Sequence, residues 1–227
     1  MTQNPSVADL RKDYRVNTLD RHQVCGDPIE QFQHWWQDVL EADVPEPNGM
    51  TLATCTPDGH PSARIVLLKG FDVRGFCFYT NYTSRKGQEL IENPHAALVF
   101  WWEPLERQVR IEGSVTQLSP EESDTYFNSR PKGSRIGAWA SPQSAEISGR
   151  EVLTDNQAAL EEQYADTEEV PRPPHWGGFR LVPNRVEFWQ GRSSRLHDRI
   201  CYIKASDSSS ERQHQQRSPW TIVRLAP

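Results

Sequence analysis

The stretch TLATCTPDGHPSARIVLLK, residues 51–69, predicts a β-hairpin. The runs Thr51 to Thr56 and Ser62 to Lys69 are rich in strand-forming residues, and they flank the turn sequence Pro57-Asp58-Gly59-His60. An Asp-Gly pair between two such runs is a strong hairpin signal, because glycine tolerates the positive φ that a tight turn requires. The sequence therefore places two antiparallel strands here.

Strand patterns continue after this hairpin and return in the last third of the chain. The further predicted strands are Phe76 to Thr80, Ala96 to Trp102, Arg107 to Leu118, Gly178 to Val182, Arg185 to Gln190, Arg195 to Lys204 and Trp220 to Leu225. Strands and helices do not alternate, and no Gly-x-Gly-x-x-Gly is present. The pattern therefore favours an antiparallel barrel over a doubly wound nucleotide-binding fold.

Helices are predicted around these strands. Residues 28–42 carry apolar positions at helical spacing, with Asp27 as the cap and Pro28 at the first position. A short helix is predicted from Ser84 to Glu92. Capping boxes at Ser119 to Glu122 and at Ser148 to Glu151 predict helices of about 10 and about 17 residues. The fold class is thus mostly β with peripheral α.

The domain organisation follows from length and composition. A chain of 227 residues with 36% hydrophobic content supports one sizeable core, so 27–227 is predicted to be a single domain. The segment 1–26 is polar, and its mixed stretch Leu10 to Tyr14 is either part of a flexible tail or a lid. Residues 205–218 are rich in serine and glutamine, which predicts a flexible surface insertion.

Charge and cysteine content exclude several classes of protein. The net charge of −6 argues against binding to nucleic acid or to an anionic membrane surface, so local arginine clusters are expected to serve small anions. The apolar runs are too short to span a bilayer, and the N-terminus lacks a signal-peptide pattern. The four cysteines are scattered, without zinc-binding spacing, which predicts reduced thiols, no metal and a cytoplasmic protein.

The segment Arg195-Leu196-His197-Asp198-Arg199 suggests an anion site. Read as a strand, it places Arg195, His197 and Arg199 on one face. Two guanidiniums and an imidazole suit phosphate or carboxylate, and the alternative is a solvated, charged strand face.

Positive charge also occurs in other segments. Arg64 and Lys69 lie five apart, so a regular strand points them to opposite faces. In the segment Tyr79 to Lys86, hydroxyls, two cations and the start of a helix form a second candidate phosphate site, and the alternative is a capped helix with exposed basic residues. Tyr126 and Arg130 lie four apart on one predicted helix face, with Ser134 beyond the break at Pro131. These three residues are a candidate for a further anion site, and the alternative is an ordinary helix end.

Taken together, these segments resemble the pyridoxine/pyridoxamine 5′-phosphate oxidase family. The resemblance runs in order from about Leu10 to the last residue. It rests on Arg64 to Lys69, Tyr79 to Asn81, Ser84 to Lys86, Glu106 to Val109, Tyr126 to Pro131, Ile136 to Trp139, Gln143-Ser144, Trp176 to Gly178, Glu187 to Gly191, Arg195 to Arg199 and Arg224 to Pro227.

The resemblance implies an FMN-binding split β-barrel that works as a homodimer. It also implies oxidation of pyridoxine 5′-phosphate and pyridoxamine 5′-phosphate to pyridoxal 5′-phosphate, by hydride transfer to the flavin with oxygen reduced to hydrogen peroxide. The implied FMN-binding residues are Arg64, Ile65, Val66, Leu67, Lys69, Tyr79, Thr80, Arg85, Lys86, Gln108, Gln143, Ser144, Trp189 and Arg199. The implied substrate-binding residues are Arg11, Tyr14, Lys69, Tyr126, Arg130, Ser134, Arg195 and His197, of which Arg195 and His197 are the implied catalytic pair.

Two other functions remain open at this point. One is a non-catalytic carrier of FMN or pyridoxal phosphate, and the other is a split-barrel flavin reductase with a nicotinamide donor. The second predicted phosphate site disfavours both, because neither needs to hold a phosphorylated substrate beside FMN.

Overall fold

The structure, a computed structural model, describes residues 6–205 and 219–227. The predicted insertion 205–218 falls almost entirely outside these residues. The helices are α1 (Pro28–Glu41), α2 (Arg85–Glu92), α3 (Pro120–Asn128), α4 (Lys132–Ala140) and α5 (Glu151–Gln163). The strands are β1 (Gly49–Cys55), β2 (Pro61–Leu67), β3 (Gly70–Asp72), β4 (Gly75–Asn81), β5 (His95–Trp102), β6 (Arg107–Gln117), β7 (Trp176–Gln190), β8 (Asp198–Lys204) and β9 (Trp220–Arg224).

The predicted hairpin is confirmed. Strands β1 and β2 pair antiparallel with Cys55 opposite Pro61, and the turn between them contains Gly59 at φ +94°. The Thr56 N–H donates to the His60 carbonyl at 3.1 Å and closes the turn. A side chain at position 59 would be strained at this φ, which is why glycine occupies it.

The chain forms two compact units, and strands β5, β6 and β7 contribute residues to both. The middle unit comprises Asn48–Leu98 and Glu112–Pro183. Its strands follow the order β2-β1-β5-β6-β7-β4-β3, and Phe78 on β4 pairs with Phe179 on β7. Its core is largely apolar, and the deeply buried apolar side chains include Leu52, Phe76, Phe78, Leu98, Phe179 and Leu181.

The terminal unit comprises Val99–Ile111, Asn184–Pro227 and the described part of Met1–Pro47. Helix α1 begins as predicted, because the Asp27 carboxylate accepts hydrogen bonds from the backbone of Ile29 and Glu30. The apolar face of α1 carries Phe32 and Trp35, and Phe32 packs against Phe100 of β5 at 5.3 Å between ring centroids. Aromatic side chains thus form the core of this unit.

Several predicted elements differ from those observed. The prediction of a capping box at Ser148 is wrong. The N-cap residue of α5 is Arg150, and its side chain makes no capping hydrogen bond. Helix α4 was not predicted: α3 ends at Asn128, and Pro131, which was expected only to break a helix, is the N-cap residue of α4. The two predicted strands 178–182 and 185–190 form the single strand β7, and the short strand β3 was missed.

The largest correction concerns Arg195 to His197, which were predicted to lie on a strand. Residues Ser193–Arg195 form a 3₁₀ turn, Ser194 and Arg195 have φ of 57° and 62°, and β8 begins only at Asp198. Because this turn precedes the strand, Arg195 and Arg199 do not share a strand face. The described ranges also contain no helix that is long and apolar enough to cross a membrane.

Candidate active site

A cavity of about 640 Å³ in the middle unit contains many of the predicted site residues. Its walls come from β2, β4, α2, α3, α4, the start of β7 and nearby loop residues. The predicted residues that line it are Ile65, Val66, Leu67, Lys69, Tyr79, Thr80, Lys86, Tyr126, Arg130, Ser134 and Gln143. Six further residues line the cavity that were not expected from the sequence: Asn81, Pro131, Gly137, Ala138, Ser141 and Trp176. Residues distant in the sequence therefore meet in one place.

Lys86 forms the centre of one polar group in this cavity. Its Nζ donates to Gln143 Oε1 at 3.0 Å and to the Thr80 and Ser84 hydroxyls at 3.3 Å. Burial, together with the charge of Arg64, lowers the pKa of Lys86. All of these partners are neutral, so the positive charge on Lys86 is not cancelled by them.

Arg130 forms the centre of a second group. Its guanidinium lies 4.7 Å from the ring centroid of Trp176, and its buried Nη1 has no hydrogen-bond partner within residues 6–205 and 219–227. Burial lowers the pKa of Arg130. A buried guanidinium donor without a partner is costly, and an anion bound in the cavity would relieve that cost.

Aromatic rings form an apolar wall beside Arg130. Tyr79 stacks on Tyr126 with 4.0 Å between centroids, and on Trp176 with 5.5 Å. Burial raises the pKa of Tyr79 to about 12, so its hydroxyl keeps its proton at neutral pH. A planar ligand therefore meets flat rings and hydroxyl donors in the same cavity.

Arg64, in contrast, does not line the cavity. Its guanidinium donates to the hydroxyls of Thr54 and Ser62 and lies 3.5 Å from Glu89 Oε2. Burial alone would raise the pKa of Glu89, but hydrogen bonds from Ser62, Thr54 and Arg85 and the charge of Arg64 lower it to about 2. Arg64 thus lies on β2 and is paired within the fold, while Lys69 follows the end of that strand at Leu67 and lines the cavity.

A neighbouring depression of about 400 Å³ contains the remaining predicted residues of the middle unit. Arg85, Gln143 and Ser144 line it, and Arg85 also donates to Glu89 at 2.9 Å. Ser144 has φ of 73°, a left-handed conformation that is uncommon for residues with a side chain. The depression therefore offers one exposed cation, Arg85, and the side-chain amides of Gln88 and Gln143.

The terminal unit holds a separate aromatic cluster, formed by Tyr14, Trp101, Trp189 and His197. The centroids of Trp189 and His197 lie 4.5 Å apart, and Tyr14 lies 5.9 Å from each of them. His197 Nδ1 accepts the backbone N–H of Arg192 at 3.1 Å, which leaves its proton on Nε2. Burial and the charge of Arg195 lower the pKa of His197, so the ring is neutral at pH 7.

The arginines near this cluster differ from expectation. Arg199 donates to Glu187 through Nε at 3.1 Å and Nη2 at 2.9 Å, so its planar fork is occupied by a carboxylate. Arg195 is exposed. Arg195 thus acts on His197 through its charge from the turn before β8, while the guanidinium of Arg199 is paired with Glu187 on the strand. Gln108 is half-buried on β6.

Of the two predicted lid residues, Tyr14 belongs to the cluster, while Arg11 is exposed. The chain approaches closely here, because a Cβ at Gly191 would lie 2.8 Å from Tyr14 Cβ. Sequence reasoning missed Glu187, Asp198 and Trp101, which hold or flank the predicted side chains. For Glu187 and Asp198, the only signal in the sequence was an acidic residue within the motif. The residue with which each of them pairs depends on how the strands align.

Comparison with known proteins identifies the family. The model of the pyridoxamine 5′-phosphate oxidase family matches residues 37–164, and that of the pyridoxine 5′-phosphate oxidase C-terminal dimerisation region matches residues 176–227. The chain belongs to the pyridoxamine 5′-phosphate oxidase family. Among curated relatives of this family, the pyridoxine/pyridoxamine 5′-phosphate oxidases of a Cyanothece strain and of Paraburkholderia phymatum are 58% and 56% identical, each over 98% of this chain and 99% of the relative.

Solved structures of related proteins confirm the predicted fold class. PhzG from Burkholderia lata, solved with tetrahydrophenazine-1-carboxylic acid, has a TM-score of 0.83 and 32% identity over 93% of this chain and 99% of that one. An FMN-binding protein from Nostoc punctiforme, related to pyridoxamine 5′-phosphate oxidase, has a TM-score of 0.63 and 17% identity over 86% and 97%. The chain therefore has the mostly antiparallel fold of the family.

Proposed function

We propose that this protein is an FMN-dependent oxidase that converts pyridoxine 5′-phosphate and pyridoxamine 5′-phosphate to pyridoxal 5′-phosphate. Arg130 is the residue that carries the proposal, because it lines the cavity together with Lys69 and Ser134, and its buried Nη1 has no hydrogen-bond partner in the described part of the chain. A phosphate monoester carries the charge and the acceptor oxygens that such a site requires. Full-length relatives that are 54–58% identical are named for this activity.

The cavity also fits the proposed cofactor. FMN carries a second phosphate, and Lys86 supplies a second positive charge whose partners are all neutral. The residues that would hold FMN here are Ile65 to Leu67, Lys69, Tyr79, Thr80, Lys86 and Gln143, with Arg85 and Ser144 beside them. When bound, FMN supplies the hydride acceptor that no side chain provides.

The part of the protein in this proposal is to bind, orient and exclude water. Lys69, Arg130 and the hydroxyls of Tyr126 and Ser134 would anchor the substrate phosphate, which fixes the position of the rest of the substrate. His197 carries its proton on Nε2, so this nitrogen would donate a hydrogen bond to an oxygen of the substrate. Nε2 would accept a proton only after the ring changed tautomer. The assignments of Arg195 and His197 to the substrate, and of Gln108, Trp189, Arg199 and Arg64 to FMN, remain proposals.

We further propose that the protein acts as a homodimer in the cytoplasm. Residues 176–227 match a dimerisation region, and all four cysteines are free, which suits a reducing compartment. Size-exclusion chromatography with absorbance at the flavin band tests the dimer. Flavin that elutes with a dimer-sized peak supports it, and a monomer that binds flavin overturns it.

An aerobic assay of the FMN-loaded protein with pyridoxine 5′-phosphate tests the proposed activity. Formation of pyridoxal phosphate with consumption of oxygen is the expected result. PhzG gives a second candidate, a reduced tricyclic carboxylate, since it shares 32% identity over nearly the full chain. The lower identity makes this the weaker candidate. Turnover of a reduced phenazine carboxylate without turnover of pyridoxine phosphate would replace the proposal, and absence of both would favour a carrier or a flavin reductase.

A further inference from the structure

Three potential metal ligands meet where the chain enters helix α1 in the terminal unit. The side chains of Cys25, Glu30 and His34 place one ligand atom each within 4.8 Å of the other two. Cys25 Sγ and His34 Nδ1 are 3.2 Å apart. No other cluster of this kind occurs among residues 6–205 and 219–227.

The positions of these ligands are set by ordered structure. Glu30 and His34 lie four residues apart on α1 and therefore share one face of the helix. The Cys25 N–H donates to Gln31 Oε1 at 3.0 Å, and the Cys25 carbonyl accepts the Tyr202 hydroxyl at 2.7 Å. Both partners are buried, so the Cys25 backbone is held on two sides.

The distance between Cys25 Sγ and His34 Nδ1 suits a metal ion with tetrahedral coordination. With Zn–S of about 2.3 Å and Zn–N of about 2.05 Å, a tetrahedral angle places sulfur and nitrogen about 3.5 Å apart. The observed 3.2 Å needs only a small opening. Each ligand is at least partly accessible to solvent, so an ion reaches them without unfolding the helix.

The chemistry of the set selects the metal. Sulfur, imidazole nitrogen and carboxylate oxygen together suit Zn²⁺ rather than Mg²⁺ or Ca²⁺, which prefer oxygen ligands alone. A thiolate and a carboxylate balance the two charges of the ion. The positive end of the helix dipole opposes a cation, but Asp27 at the cap and Glu30 in the first turn offset it.

We propose that Cys25, Glu30 and His34 form a zinc site, with water as the fourth ligand. On binding, the Cys25 thiol gives its proton to solvent and its sulfur bonds to the ion. The ion clips the segment before α1 onto the helix, and Tyr202 links that segment to β8. The site is independent of the proposed oxidase activity, and none of its three ligands is assigned to FMN or to substrate.

Metal titration of the full-length flavin-loaded protein, without an affinity tag and after treatment with chelator and reductant, tests this site. We expect one Zn²⁺ per chain by calorimetry, and with Co²⁺ a thiolate-to-cobalt charge-transfer band in the near ultraviolet. Cys25→Ser should remove that band, and His34→Gln should weaken binding by at least about 10-fold. The matched controls Cys55→Ser and His60→Gln should bind as the parent does.

Circular dichroism identifies variants that fail to fold. His34 is exposed, so His34→Gln still tests the site if Cys25→Ser does not fold. Loss of binding in the Cys25 and His34 variants with retention in the controls supports the proposal. Absence of stoichiometric binding, a Co²⁺ spectrum without a thiolate band, or equal affinity in His34→Gln and the parent overturns it.

Discussion

Arg130 in the middle unit and Arg199 in the terminal unit are both half-buried arginines in recognisable motifs, but they differ in what they contact. Arg130 lies over the Trp176 ring and leaves Nη1 without a partner in the described chain. Arg199 places two nitrogens on the carboxylate of Glu187, whose side chain is only 4% exposed. The guanidinium of Arg130 therefore keeps hydrogen-bond donors that an external anion could use. The guanidinium of Arg199 uses its donors within the fold.

The same difference occurs within the middle unit. Arg64 pairs with Glu89, and Arg74 donates to both Asp72 and Glu122, while Lys69 lines the cavity. A basic residue in a motif is therefore not sufficient evidence for an anion site. An internal carboxylate partner means that a basic residue also stabilises the fold, so its effect on binding has to be measured separately from its effect on stability.

Replacing Arg130 tests the ligand-binding side of this comparison most strongly. Arg130→Leu should lower kcat/KM for pyridoxine 5′-phosphate by about 10- to 150-fold, because a charge-assisted hydrogen bond contributes about 1.5 to 3 kcal/mol. The free energy of unfolding should stay the same or rise, since burial already disfavours the charged group. Steady-state kinetics and urea unfolding measure the two effects.

Arg74→Met is the matched control for Arg130, because Arg74 is paired with carboxylates and lies outside the cavity. It should keep the kinetics of the parent. If Arg130→Leu also retained parental kcat/KM while remaining folded, the cavity would not be the substrate site.

Replacing Arg199 should affect stability first. Arg199→Leu leaves the buried Glu187 with Arg110 at 3.8 Å, and should lower the free energy of unfolding by about 2 kcal/mol. This loss of stability is smaller than the loss expected on breaking a fully buried ion pair, because the side chain of Arg199 is 24% exposed. The double variant Glu187→Leu/Arg199→Leu should recover most of the loss in urea unfolding.

FMN titration of the folded fraction then separates the two roles of Arg199. If Arg199→Leu weakened FMN binding but left stability unchanged, the pair with Glu187 would contribute nothing to the fold. Arg199 would then belong with Arg130 as a binding residue.

Local sequence signals predicted much of the sheet. The Asp58-Gly59 turn predicts the hairpin of β1 and β2, and the alternation of polar and apolar residues predicts β6. These signals are local in the sequence, so the predicted bounds of the three strands are close to the observed ones. The turn at Ser194 and Arg195 could not be predicted in this way. Neither residue type favours positive φ, so nothing local separates this turn from the strand that follows it.

The candidate site depended on long-range information. The contact between Arg199 and Glu187 follows from the β7–β8 register, which places Trp189 opposite Arg199. The cavity brings Lys69 of the β2–β3 connection together with Arg130 after α3. Residue patterns supplied separate positive segments, and only the resemblance to a family grouped them into one site.

Gly191 tests the packing of the terminal cluster, with a smaller expected effect. Gly191→Ala puts a Cβ 2.8 Å from Tyr14 Cβ and Cγ and 3.0 Å from Glu106 Cβ, which should cost about 1 kcal/mol of stability by overpacking. Tryptophan fluorescence should change, and proteolysis near Tyr14 should become faster. Gly133→Ala, with nothing within 4 Å, is the control and should be neutral or stabilising. Unchanged proteolysis in Gly191→Ala would mean that Tyr14 does not depend on this close approach.

The smallest expected effect is the titration of His197. Burial and then the charge of Arg195 lower the pKa of His197 from its usual 6.5, against an opposing contribution from Asp198. As the pH falls below about 6.5, His197 is therefore protonated in the unfolded chain before it is protonated in the folded protein. The free energy of unfolding that is present at higher pH is lost as the pH falls from about 6.5 through the pKa of the folded state. The parent should lose more stability than His197→Gln between about pH 7 and about pH 5.

Arg195→Leu sharpens this last test, because it removes the repulsive charge and keeps the contacts of the ring with Trp189 and Tyr14. The His197 pKa, followed by NMR of the imidazole carbons, should then rise towards its usual value. The backbone hydrogen bond from Arg192 to Nδ1 stays in place, so the ring should keep its tautomer. A pKa that did not move would show that Arg195, exposed on its left-handed turn, does not influence His197, and that burial alone sets the titration.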